Sequence, residues 1–154
     1  MSLCELTRTA IQDLIPHRDP FLFLESARVE SEREISGLAV WSKAHPILQG
    51  HFPQRPIVPG VCLIEAGAQL AGVLLRWQGQ NLRDSQNGLG VLASVQKAKF
   101  KHPLAPDELL TLNCQVRTLS RIAYWVQCTG TSHETCIFEC ELMIAQLPNE
   151  GRNQ

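Results

Sequence analysis

The stretch from His45 to Trp77 restricts what this chain can fold into more than any other. Its first part, His45-Pro-Ile-Leu-Gln-Gly-His51-Phe-Pro-Gln-Arg-Pro-Ile-Val-Pro59-Gly60, holds prolines at 46, 53, 56 and 59. Proline fixes φ and removes a backbone donor, so this part reads as a stiff, irregular loop. The chain then runs into Val61-Cys-Leu-Ile-Glu65-Ala-Gly-Ala-Gln69-Leu-Ala-Gly-Val-Leu-Leu75, apolar on nearly every helical face. A helix that is hydrophobic all round is a buried helix. Glu65 is the only charged residue between Gly60 and Arg76. Burial disfavours the ionised form, so such a carboxylate needs a partner or takes up a proton. Gln69 lies one turn on, on the same face, placed to hydrogen-bond it. A prolyl loop with a histidine thus leads into a buried helix with an acid, the layout of an acid–base site on a rigid support. Taken singly, a buried Glu–Gln pair is also a structural network, and a loop histidine is also a solvated one.

The rest of the chain supplies strands. Its 154 residues fit one domain over 1–147, followed by a polar tail over 148–154. Thr7 to Leu14 can form a short helix stopped by Pro16. Phe21 to Arg28 and Ile35 to Trp41 are strand candidates. Gln78 to Gly90, rich in Gly, Asn, Gln and Ser, reads as a loop. Val91 to Phe100 is a further strand. Leu110, Leu112, Cys114 and Val116 alternate with polar residues at a clean period of two. Ile122 to Thr129 follows. Cys136, Phe138, Cys140, Leu142 and Ile144 alternate in the last strand, with Gly130 to Glu134 as the hairpin turn before it. One buried helix with about six antiparallel strands implies an α+β domain whose sheet wraps the helix. One small sheet cannot cover every face of such a helix, so a second subunit is expected against the remainder.

Several function classes drop out. The formal net charge of −1 gives no general nucleic-acid signal. The chain opens Met-Ser-Leu-Cys-Glu, without a secretory pattern, and a cytoplasmic location is expected. The apolar run from Val61 to Leu75 is about 15 residues and contains Glu65 and Gln69, too short and too polar for a membrane span. The six cysteines, at 4, 62, 114, 128, 136 and 140, contain no Cys-x-x-Cys pair. They read as reduced core or strand residues, and no zinc site is expected.

Three blocks resemble the 3-hydroxyacyl-(acyl-carrier-protein) dehydratases of fatty-acid synthesis. They are Ile15-Pro-His-Arg-Asp-Pro-Phe-Leu-Phe-Leu24, then Gln49-Gly-His-Phe-Pro-Gln-Arg-Pro-Ile-Val-Pro-Gly60 with Ile64-Glu-Ala-Gly-Ala-Gln69, and Lys97-Ala-Lys-Phe-Lys-His-Pro103. The central block is long and specific, and the likeness runs from about Leu14 to Ala145. It implies the hotdog fold, with the helix as the sausage. It also implies a homodimer with shared active sites, His51 of one chain facing Glu65 of the other, and allows a higher oligomer of dimers. The implied partner is an acyl carrier protein bearing a 3-hydroxyacyl chain.

The chemistry follows on those residues. Dehydration removes a proton from C2 and hydroxide from C3. Imidazole is the natural base near neutral pH, and His51 fills the role. A carboxyl in an apolar helix keeps its proton more readily, and Glu65 is the acid. Negative charge growing on the thioester oxygen calls for backbone N–H groups at a helix start, and the Gly60 N–H is placed there. Gln69 orients Glu65. Phe52 and Pro59, in the same block, complete the substrate-binding set. No metal or organic cofactor is required. Lys97, Lys99 and Lys101 share a strand face; they form either a docking stripe for an acidic carrier protein or a solvated edge that blocks aggregation. His17, His45 and His102 read as structural or loop residues, Arg55 as a rim charge, and Phe21 and Phe23 as core or tunnel wall.

Four positions depart from the family pattern. Asp19 replaces a Tyr associated with the acyl tunnel, Glu25 replaces Asp, Gly67 replaces a larger apolar residue, and Pro106-Asp107 lacks a following Gly. A changed gate and a vacated volume beside Glu65 would suit a specialised acyl chain, such as an aryl or polyene chain. The rival functions are a hotdog thioesterase, which would direct water at the thioester carbonyl, and a binding-only hotdog protein.

Overall fold

The computed structural model describes residues 3–81 and 89–147. The polar tail expected over 148–154 lies outside the described residues. The elements in chain order are β1 (Cys4–Thr7), α1 (Arg8–Leu14), β2 (Leu24–Val29), β3 (Glu34–Ala39), α2 (Pro46–Gln49), α3 (Gly60–Asn81), β4 (Leu89–Phe100), β5 (Leu110–Thr118), β6 (Ala123–Ser132) and β7 (Thr135–Leu147). The strands form one antiparallel sheet in the order β1-β2-β3-β5-β6-β7-β4. α3 follows β3 in sequence, yet the strand after it joins at the far edge beside β7. The helix therefore crosses one face of the sheet, and it packs against every strand except β1. This is the hotdog arrangement.

The core is what the alternation requires. In β5 the side chains of Leu110, Leu112, Cys114 and Val116 point inward, and in β7 those of Phe138, Cys140, Leu142 and Ile144 do. They meet Ala66, Leu70, Ala71, Val73 and Leu74 of α3, none of which keeps any exposed surface. By length and composition alone α3 could cross a bilayer, because it runs to 22 residues, past the apolar stretch that seemed too short. About half of that stretch is buried inside the chain, against its own sheet, while Val61 at its start stays 72% exposed.

Several details differ from expectation. The described residues form seven strands, in keeping with the six or so expected; the additional β1 is only four residues long and carries too little alternation to stand out. β2 begins at Leu24, three residues later than expected, since the Phe21 N–H closes a turn on the Arg18 carbonyl and Gln69 takes the Phe21 carbonyl and the Phe23 N–H. The prolyl loop contains one helical turn, α2, with Pro46 at its start and His45 capping it: His45 Nδ1 accepts from the Ile47 N–H at 3.3 Å. α3 continues through Gln78–Asn81, where polar side chains suggested a loop. The last hairpin turn is tighter than Gly130–Glu134: β6 runs to Ser132, and His133 and Glu134, at φ 47° and 63°, make the two-residue turn.

Candidate active site

Glu65 lies on α3 with its side chain 21% exposed, half-buried rather than sealed in. Its Oε1 accepts a 3.0 Å hydrogen bond from Gln69 Nε2, one helical turn on. Gln69 is itself 98% buried, at 2% exposure, and tied to the chain before β2 at both ends of its amide. Its Oε1 accepts from the Phe23 N–H at 3.1 Å, and its Nε2 donates to the Phe21 carbonyl at 2.7 Å. The Glu–Gln pairing legible in the sequence is thus anchored by a third segment that the sequence does not bring near it.

That third segment holds a residue set aside as structural. His17 Nε2 is 3.3 Å from Glu65 Oε1, and the His17 side chain is 27% exposed. A histidine in the first motif and an acid in the second show no sequence relation. Only the packing of the loop after α1 along the helix joins them. Both line a cavity of about 640 Å³ that follows α3 from Glu65 past Gly72 to Leu75 and Arg76, with Leu92 of β4 and Ile144 of β7 opposite.

His51 sits in the prolyl loop. The peptide bond to Phe52 is cis, and the two rings stack with centroids 4.2 Å apart. His51 Nδ1 is 2.8 Å from the Ile57 carbonyl. A carbonyl can only accept, so Nδ1 carries a proton, and in the neutral ring the lone pair is on Nε2, where a base needs it. The loop is closed by Ile57 N–H donating to the His51 carbonyl at 2.9 Å and Val58 N–H to the Leu104 carbonyl at 3.0 Å. Among the described residues no hydrogen bond or ion pair joins His51 to Glu65 within one chain. Phe52 is 52% exposed, while Pro59 is buried at the helix start.

Gly60 opens α3, so its N–H is among those without an intrahelical acceptor. A Cβ there would lie 2.8 Å from the half-exposed Phe100 ring of β4, which would have to shift, so glycine lets that ring rest on the helix start. Gly67 requires a correction. It leaves no volume beside Glu65: a Cβ would lie 2.7 Å from Cys128 Sγ, which occupies that space. Cys128 pairs across the strands with Cys114 and Cys140. Its thiol is held well above the usual range, first by a hydrogen bond with Cys114, opposed by one with Cys140, and then by burial. Burial and, secondarily, the Glu65 charge push the Cys62 thiol up to about 11. All six cysteines are free. Among the described residues no three His, Cys, Asp or Glu side chains gather as a metal site would.

The Asp19 and Glu25 departures turn out to share one partner. Arg8 Nη2 bonds Asp19 at 2.5 Å and Arg8 Nη1 bonds Glu25 at 3.0 Å, while the same guanidinium donates to the Leu22 and Leu24 carbonyls. Lys97 and Lys101 reach Glu141 at 3.9 Å and Glu139 at 3.0 Å across the sheet. The Lys101 ammonium is raised chiefly by its hydrogen bond to Glu139. His45 caps α2, and His102 Nδ1 bonds the Cys136 carbonyl at 3.0 Å, structural places for both.

The FabA-like domain model matches residues 15–141. The chain belongs to the FabA-like family. Among its relatives, a 3-hydroxyacyl-(acyl-carrier-protein) dehydratase FabZ of Ruminiclostridium cellulolyticum is 38% identical over 72% of this chain and 76% of that one. The corresponding FabZ of Clostridioides difficile is 32% identical over 88% and 93%. Among solved structures, the dehydratase heterocomplex ApeI:P from Xenorhabdus doucetiae superposes with TM-score 0.78 at 18% identity, covering 90% of this chain and 91% of that one. The E. coli PaaI protein of the phenylacetic acid degradation operon gives 0.57 at 14% identity, covering 77% and 79%. Those two show the FabA-like chain's fold alone.

Proposed function

We propose that this FabA-like protein dehydrates a 3-hydroxyacyl thioester, carried on an acyl carrier protein, to the trans-2-enoyl thioester and water. The observation that carries the reading is Glu65, a carboxyl locked by Gln69 at the side of a cavity large enough for an acyl chain. His51 supplies the base through Nε2, Glu65 the acid, and the Gly60 N–H meets the charge on the thioester oxygen. Phe52 and Pro59, in the same loop as His51, complete the substrate-binding set. The catalytic unit is the single domain over 1–147.

The enzyme works as a homodimer. β4 ends the sheet with an unpaired edge, and Leu89, Leu92, Val95 and Phe100 on it are between 40 and 51% exposed. Pairing β4 with its copy about a two-fold axis would cover that surface. It would also bring the partner's prolyl loop towards Glu65, so that the partner's His51 faces the acid. Pairs of dimers could assemble further. Lys97, Lys99 and Lys101 form the rim that meets the acidic carrier protein. Both partners would meet in the cytoplasm, in fatty-acid or polyketide-like synthesis. An aryl or polyene chain is no longer favoured by volume, since Cys128 fills the space at Gly67.

The test supplies 3-hydroxybutyryl and crotonyl thioesters and follows enoyl absorbance and free thiol separately. Interconversion without thiol release is expected. Thiol release would instead make the protein a thioesterase, and neither signal across a panel of carrier-bound chains would make it a binder.

A further inference from the structure

Glu65 Oε1 has two neighbours, Gln69 Nε2 at 3.0 Å and His17 Nε2 at 3.3 Å. Gln69 cannot turn round. One end of its amide faces an N–H, which only donates, and the other a carbonyl, which only accepts. The group it offers Glu65 is therefore a donor, and Oε1 is an acceptor. A ring proton on His17 Nε2 would find that acceptor. A ring proton on Nδ1 would not, because Nδ1 is buried and has no hydrogen-bond partner among the described residues.

We propose that His17 positions the catalytic proton. With Gln69 it gives Oε1 two donors, so the proton of the acid form rides on Oε2, the oxygen left for the substrate. This rests on Glu65 being the general acid of the dehydration proposed above. When the C3–O bond breaks, its electron pair stays on oxygen, which takes the Oε2 proton and leaves as water. The C2–H pair becomes the C2–C3 π bond, and that proton goes to His51. His51 then gives its proton to solvent and Glu65 regains one. His17 touches no reacting atom. The other titratable groups lining the cavity are Asp13, Arg18 and Arg76, and Cys62 lies one turn earlier on α3.

Two measurements test this. Long-range 15N–1H correlations of the His17 ring in the resting protein report which nitrogen holds the proton. Nε2–H is expected; an Nδ1–H ring overturns the proposal, and this readout needs no turnover. The second is the kcat–pH profile of the parent, His17→Leu and His17→Gln on a hydroxyacyl thioester. Leucine removes the donor, whereas the glutamine amide nitrogen reaches about as far as Nε2. His17→Leu is expected to lose about ten-fold in kcat, the worth of one hydrogen bond, with KM nearly unchanged. The profile should also change shape, because a donor to a carboxylate favours its charged form and removing it disfavours that form. His17→Gln should restore both kcat and the parental shape. A His17→Leu profile of parental shape, or a loss confined to KM, makes His17 a cavity wall and overturns the inference alone. A parent that turns over no hydroxyacyl thioester overturns the dehydratase reading together with this role.

Discussion

Glu65 is held by the backbone-anchored Gln69 with His17 beside it, and His51 by the Ile57 carbonyl. Removing either reacting group should therefore cost chemistry rather than fold. His51→Ala and Glu65→Gln are each expected to lower kcat by roughly 10²–10⁴-fold, the range for a general acid or base, with unchanged circular dichroism. Near-parental kcat in either variant would remove that residue from the mechanism. The Glu65–Gln69 pair was legible in the sequence because helical spacing puts such residues on one face. His17 was not, because its approach depends on how a loop docks on the helix. Gly67 was misread for a similar reason: a missing side chain looks like a vacancy until the facing strand is known. Gly67→Ala should cost about 1–3 kcal/mol by overpacking against the Cys128 sulfur. Combined with Cys128→Ala, it should cost less than the two single changes added together, measured by urea unfolding. Simple additivity would mean that the two do not share space.

At the scale of elements, the period-two patterns gave β5 and β7 directly, since alternation reports a sheet with one buried face. Polar residues at the end of α3 hid its last turn, because past the edge of the core a helix no longer needs apolar side chains. There Gln78 instead donates to the Glu32 carbonyl. The junction of α1 with β2 depends on Arg8, whose side chain is 26% exposed and donates to the Leu22 and Leu24 carbonyls at 3.1 and 2.6 Å. Its ion pair with Asp19 is 73% exposed on the acid side, where such pairs contribute little. Arg8→Gln is accordingly expected to destabilise by about 1–3 kcal/mol through stranded carbonyls, and Asp19→Asn by under about 1 kcal/mol. Denaturant midpoints showing the reverse order would assign the junction to the charge pair instead. The same cluster accounts for two motif departures at once, a coupling invisible in a single sequence because Arg8 lies outside every motif.

At the scale of the whole molecule, the open β4 edge and the row of lysines on its strand make different claims. Lys97 and Lys101 already have acidic neighbours on β7, so their charge is partly committed to the sheet. Reversing charge at Lys99 and Lys101 together is expected to raise KM for carrier-bound substrate and to spare a small-thioester analogue, because steering acts only on a charged partner. An equal effect on both substrates would assign the lysines to the sheet alone. The shared site is the more consequential claim, since among the described residues no hydrogen bond or ion pair joins His51 to Glu65 within one chain. It is tested most directly by co-expressing His51→Ala and Glu65→Gln chains with different tags and isolating mixed dimers through both tags. Each homodimer has two broken sites, whereas a mixed dimer has one site with both lesions and one with neither. The account expects inactive homodimers and mixed dimers with about half the parental activity, by two-fold symmetry. Mixed dimers that form and stay inactive would place each site within a single chain and contradict it.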